Sequence, residues 1–201
     1  LCFVVDEEIT KDGCCLFYHD EKVFLNYNDC KIYNEVDFIL SKYKKIDCLT
    51  GQFSGAMWWP TCYSYDKEKY IKLSDDFIYN KYKALVIQIK KLNPTIYIPS
   101  AGPICFLDPE MFHHNFERNI FLKWDSYRDY MLENDVKNIK WIHEGNMPGD
   151  KLDLHTYNFD LISDRTALNP ENYKSVLLEY QKKYLFYFSE RNIIDNKINE
   201  F

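Results

Sequence analysis

One stretch constrains the fold more than any other: the run from Lys69 to Asn115, where the hydrophobic period changes once and is then punctuated. Ile71, Phe77, Ile78, Tyr82, Leu85, Ile89 and Leu92 recur at three- and four-residue spacing, which predicts a helix over Lys69 to Lys91. Asn93-Pro94 stops it, because the residue before a proline is driven out of the helical region. The β-rich run Thr95, Ile96, Tyr97, Ile98 follows and ends on Pro99. Helix then strand, without a long connector, is the αβ unit of a layered fold. A small-residue elbow comes next at Ser100, Ala101, Gly102 and Pro103, where Gly102 suits a positive φ or a close backbone approach. Asp108, Glu110, His113 and His114 then fall within a few residues. Strand, tight turn and polar cluster is how a sheet presents chemistry at its edge.

The rest of the chain reads as further α/β material. Leu1–Val5 and Cys14–Tyr18 are short apolar runs with Asp12-Gly13 between them as a hairpin signal. His19 to Lys22 is a second turn, and Lys22 to Tyr27 the next strand, ending in the polar NYNDC, Asn26 to Cys30. Asn34–Tyr43 predicts a helix and Asp47–Thr50 a short buried strand. Phe53–Tyr63 reads as a loop. Asp125–Glu133 predicts a short helix, Asn138–His143 a strand with a Gly145–Gly149 turn after it, and Asn169-Pro170 the start of a last helix. The 201 residues fit one domain, with 170–201 as a helical extension.

Composition excludes several classes. The net charge is −6 and no long basic block exists, so a nucleic-acid polymer is not an expected partner. No run approaches the roughly 20 apolar residues of a membrane span. Seven cysteines without C-x-x-C or regular spacing argue against a disulfide framework or a cysteine-based metal site and for reduced thiols in a cytoplasmic protein. No secretory signal is evident. The chain opens without Met in an apolar run, which fits a piece of a longer protein. Partners reduce to a small-molecule substrate, with a homo-oligomer left open.

The residues themselves offer a few sites, each with a plainer reading beside it. If Pro109 opens a helical turn, Glu110 and His113 lie at i and i+3 on one face and His114 at i+4, a spacing that can hold a metal or place a general acid–base. The plainer reading makes Asp108-Pro109 a helix N-cap and the histidines inert. Adjacent His113 and His114 are not expected to enter one site from a helix. Trp58, Trp59 and Tyr63 follow glycines Gly51 and Gly55 and either stack on a sugar or base or cover the core. Asp29 at a strand end is either a ligand or a turn residue. Of the isolated histidines, His155 beside Asp153 is the one worth testing.

Taken together, IYIPSAGP, FLDPEMF, NYNDC, LTGQFSGAMWWPTCY (Leu49 to Tyr63) and MPGDKLDL (Met147 to Leu154) resemble one branch of the metallo-β-lactamase superfamily. That branch includes the metallo-β-lactamase-like part of CMP-N-acetylneuraminate hydroxylase. The resemblance implies part of an αββα four-layer sandwich, here its carboxyl-terminal portion, because the superfamily's His-x-His-x-Asp-His is absent. It implies a metal-dependent enzyme using zinc or iron, either a hydrolase or an oxygenase component acting on a nucleotide sugar or similar substrate. The alternative is a non-catalytic lobe for ligand binding or assembly. Asp29 would hold the metal, with Asp108 and Glu110 replacing the ligand lost where Ala101 stands in the elbow. His113 and His114 would ligate or shuttle protons, and Asp150 would lie near the active-site face with Trp58, Trp59 and Tyr63. An iron–sulfur cluster enters only if a Rieske domain lies outside this chain, whose own cysteines and histidines do not form that pattern.

Overall fold

Alternation along two strands sets the sheet. In the computed structural model β1 (Cys2–Val5), β2 (Gly13–His19) and β3 (Lys22–Asn28) form antiparallel pairs. Cys14, Leu16, Val23, Leu25 and Tyr27 point to one buried face, with Phe17 and Phe24 on the other. The β2–β3 connection is the expected tight turn, with Asp20 and Glu21 both at positive φ (45° and 60°). The expected first hairpin forms between β1 and β2, but its turn lies elsewhere than the sequence signal. Gly13 pairs with Val5 inside the ladder, so Asp12-Gly13 is not its turn. The structure describes residues 2–5, 12–30, 32, 34–54, 57–100, 104–121, 123–138, 151–160 and 172–190, with backbone only at 2–5, 159, 160 and 190.

From β3 onward the strands become parallel, and each crossover carries a helix. After β3 come α1 (Glu35–Lys42), β4 (Cys48–Gln52), α2 (Lys67–Leu92) and β5 (Ile96–Ser100). The five-stranded sheet has the order β1-β2-β3-β4-β5, with β3–β4 and β4–β5 parallel. Asp66 caps α2, its carboxylate accepting the Lys69 N–H at 2.9 Å. Asn93 ends it in the left-handed region at φ 44°, donating its N–H to Ile89 O at 2.8 Å.

Helix α3 (Trp124–Glu133) joins α1 and α2 over the sheet. Val36 and Ile39 of α1, Tyr82, Leu85, Val86, Ile89 and Leu92 of α2, and Tyr127 and Met131 of α3 share one core with Leu16, Leu25, Leu49 and Tyr97 of the sheet. Each fully buried aliphatic side chain there contributes about 2 kcal/mol. On the opposite face Cys48, Ile96 and Ile98 pack with Phe24 and with Leu152, Leu154 and Tyr157 of a small hairpin. That hairpin pairs β6 (Lys151–Asp153) with β7 (Asn158–Asp160).

The chain divides into two compact units. The first comprises Leu1–Pro103 and Asn119–Asp164 and holds the sheet. The second comprises Ile104–Arg118 and Arg165–Phe201 and holds a 3-10 turn (Phe112–Asn115) and α4 (Tyr173–Glu190). Phe116 packs edge-on against Tyr173 of α4, and Gln181 donates to Leu107 O at 3.2 Å. The architecture is therefore mixed α/β, as expected. The expected strand at Asn138–His143 is described only at Asn138, whose carbonyl accepts the Tyr97 N–H at 2.8 Å beside β5. Its remainder, the Gly145–Gly149 turn, Ala101 to Pro103 and Asn169-Pro170 lie outside the described residues. Among the described residues no helix is long and apolar enough to cross a membrane.

Candidate functional site

Parallel strands that share helical crossovers bring their carboxyl ends to one edge, and ligands of open α/β sheets bind outside that edge. Here a cavity of about 710 Å³ lies at the carboxyl ends of β3 and β4. Tyr27, Asn28, Asp29 and Cys30 close it from β3, Gln52 from β4, and Met57 and Trp59 from the following loop. The long wall is α2. Asp76, Asn80, Ala84 and Gln88 form one row at four-residue spacing, and Leu73, Phe77, Lys81 and Leu85 form the row beside it.

Asp29 sits in the tight turn that ends β3, where Cys30 N–H bonds Tyr27 O at 2.8 Å and the Asn28 amide donates to Asp29 Oδ1 at 2.7 Å. The turn reading of Asp29 is thus observed, and its carboxylate also faces a cavity. Trp59 lines the same cavity and meets Phe77 edge-on at 6.5 Å. Trp58 does not line it and packs edge-on against Phe121 at 5.7 Å. Tyr63 is exposed beside Tyr65 at 6.4 Å. Asp150 lies outside the described residues. Cavity-wall residues on α2 were not singled out as a site by sequence reasoning, because charged and polar residues recur along the whole helix and do not mark the row that faces the cavity.

Sequence reasoning also missed Asp47, which is 1% exposed at the amino end of β4. Burial pushes its carboxyl up, but hydrogen bonds from Lys45 (2.9 Å), the Val23 N–H (3.0 Å) and Tyr157 (2.8 Å) outweigh burial and hold it at about 2. This ion ties β3, β4 and the β6–β7 hairpin together at the sheet end away from the cavity. It reads as structural. Cys14, Cys30 and Cys48 are buried and not in disulfides, and burial pushes Cys48 up to about 12, far from a thiolate nucleophile. Asp153 holds the hairpin turn, accepting from the His155 N–H at 2.7 Å and the Thr156 hydroxyl at 2.8 Å. That leaves His155 a turn neighbour of Asp153 through its backbone.

The second unit gathers a different set. Asp108 opens a turn, its Oδ1 accepting the Glu110 N–H at 2.9 Å and its carbonyl the Met111 N–H at 3.1 Å. Asp108 therefore holds a turn ahead of the 3-10 helix, whose N-cap is Met111, so it is not the helix N-cap of its plainer reading. Glu110 is exposed and stands apart from the histidines' cluster. The helical turn is 3-10, and the expectation that a helix keeps His113 and His114 out of one site does not hold. Their ring centroids lie 4.1 Å apart, so adjacent histidines do reach one place. Glu117, four residues after His113, joins them, with His113 Nε2 4.0 Å from Glu117 Oε2. One donor atom from each of His113, His114 and Glu117 falls within 4.8 Å of the others.

The turn that carries them is clamped by Asn115, which is buried. Its Oδ1 accepts the Phe106 N–H at 2.9 Å, and its Nδ2 donates to Phe106 O at 2.6 Å and Phe112 O at 2.9 Å. Burial, then the neighbouring His113, push the His114 imidazole below its ordinary value and favour its neutral form, while Glu117 acts weakly the other way. Glu117 is the member that sequence reasoning missed, and its i,i+4 spacing from His113 was the signal available.

Two relatives from Mycobacterium tuberculosis, of the CDC 1551 / Oshkosh and H37Rv strains, are described as putative Rieske 2Fe-2S iron-sulfur proteins. Each is 31% identical to this chain over 108 residues, which is 52% of this chain and 20% of the relative. The chain thus matches about a fifth of the length of these curated relatives. No family model matches the chain. No solved structure matches it either.

Proposed function

We propose that this chain is part of a metal-dependent enzyme of the metallo-β-lactamase-like superfamily, in the branch that includes CMP-N-acetylneuraminate hydroxylase. The observation that carries the metal dependence is the convergence of His113, His114 and Glu117, with donor atoms within 4.8 Å. Two imidazoles and a carboxylate are a donor set that zinc or ferrous iron accepts, and three protein ligands leave a position open for substrate or water. A divalent ion bound there would polarise an oxygen or acidify a water. The chain's own part is to present the three donors on one short turn, to hold that turn through Asn115, and to bring one negative charge to the cation through Glu117.

The parallel strands β3, β4 and β5, with helical crossovers and a cavity at the carboxyl edge, support a layered α/β enzyme of this kind. The description of the two relatives as iron–sulfur proteins supports the oxygenase arm over the hydrolase arm. A Rieske centre takes two cysteines and two histidines. Among the described residues no cysteine groups with the histidines, so the described residues do not supply the ligands of such a cluster. The cluster would belong to sequence beyond the matched region, and no step is assigned through it.

The test is metal content after reconstitution with zinc or ferrous iron, read by inductively coupled plasma mass spectrometry. One equivalent in the wild type, a loss in His113→Ala and Glu117→Gln, and retention in Glu110→Gln are expected. A folded wild type that retains no metal would remove the enzyme reading and leave a ligand-binding lobe.

A further inference from the structure

The cavity of the first unit has a wall chemistry that selects its ligand, and this goes beyond the metal-dependent reading because it involves none of those donors. Three carboxylates, Asp12, Asp29 and Asp76, line it against one ammonium, Lys81. All three acidic residues are exposed and therefore stand toward the mouth. Deeper, Gln88 is 6% exposed, and its Nε2 has no hydrogen-bond partner among the described residues. A buried amide donor without an acceptor is costly, and a ligand that supplies the acceptor removes that cost. Trp59 and Phe77 give the cavity aromatic surface, on which a flat ring or a cation is favoured.

These features point one way. A phosphate-bearing or carboxylate ligand would meet net negative charge at the mouth, and a purely apolar one would leave Gln88 unanswered. We infer that the cavity binds a neutral or cationic aromatic small molecule that presents a hydrogen-bond acceptor to Gln88 and a donor or positive charge to the Asp29 and Asp76 carboxylates. A free nucleotide sugar is not the ligand expected in this cavity.

Three probes that share one ring and differ in the head group test this: phenethylamine (cationic), phenylacetamide (neutral, with an acceptor carbonyl) and phenylacetate (anionic). Binding is read by calorimetry and by Trp fluorescence on the whole chain at pH 7, without added divalent ions. The amine and the amide are expected to bind, with phenylacetate roughly tenfold weaker or more. Asp29→Asn with Asp76→Asn should remove the preference for the amine, and Gln88→Leu should weaken phenylacetamide more than phenethylamine. Phenylacetate binding as tightly as the amine would overturn the inference. So would binding of none of the three, or variants that leave the order unchanged. Metal retained or lost in the second unit bears on none of these outcomes, so the two proposals fail separately.

Discussion

At the residue scale, Gly51 and Asp47 show how two neighbouring positions serve different ends. A Cβ at Gly51 would run into the Tyr27 ring at Cζ, because that ring rests directly on the Gly51 backbone. Gly51→Ala should therefore cost about 2 kcal/mol in urea unfolding. Tyr27→Leu should be less damaging in a protein already carrying Gly51→Ala than in the wild type. Strict additivity of the two changes would contradict the contact. Asp47 acts through charge. Its carboxyl is held at about 2 against an ordinary 3.8, so its contribution is present above pH 4 and is lost as pH falls through about 2. That shift corresponds to about 2 kcal/mol. Asp47→Asn should lose about this much at pH 7, and the gap between wild type and variant should close on acidification from pH 4 to pH 2. A gap that stays constant over that window would contradict the ion's role. Neither residue announces itself in the sequence, since a buried carboxylate depends on Lys45, Tyr157 and the Val23 N–H meeting in space.

At the element scale, most of the fold is legible in the sequence. The 3.6-residue period marks α2 to within two residues at its start, and Asn93-Pro94 marks its end because both residues act locally. Asn93 sits at φ 44°, where an alanine side chain is strained. Asn93→Ala should cost about 1 kcal/mol by thermal unfolding and Asn93→Gly should be close to neutral. Equal loss in both would show that the Asn side chain, not the backbone, matters. The first hairpin departs from its sequence signal because ladder pairing of Gly13 with Val5 overrides the turn preference of Asp12-Gly13. The site is half legible for a related reason. Strand-end Asp29 and loop Trp59 follow from position along the chain. Asp76, Asn80 and Gln88 need the orientation of α2 against the sheet. The meeting of the His113 and His114 rings depends on side-chain direction, which chain spacing alone does not give.

At the scale of the whole molecule, the first unit offers a cavity at the carboxyl edge of its parallel strands, and the second offers three metal-type donors on one clamped turn. The relatives are several times longer than the stretch they share with this chain. What the chain itself brings is a proposed metal centre of two imidazoles and a carboxylate. X-ray absorption at the metal edge of the zinc-reconstituted protein reads that donor set without reference to any substrate. Nitrogen and oxygen scatterers at about 2.0–2.1 Å are expected, with the multiple-scattering signature of two histidines, and His113→Ala is expected to hold no zinc at this centre. Sulfur scattering at about 2.3 Å, or a spectrum unchanged by that substitution, would rule the centre out.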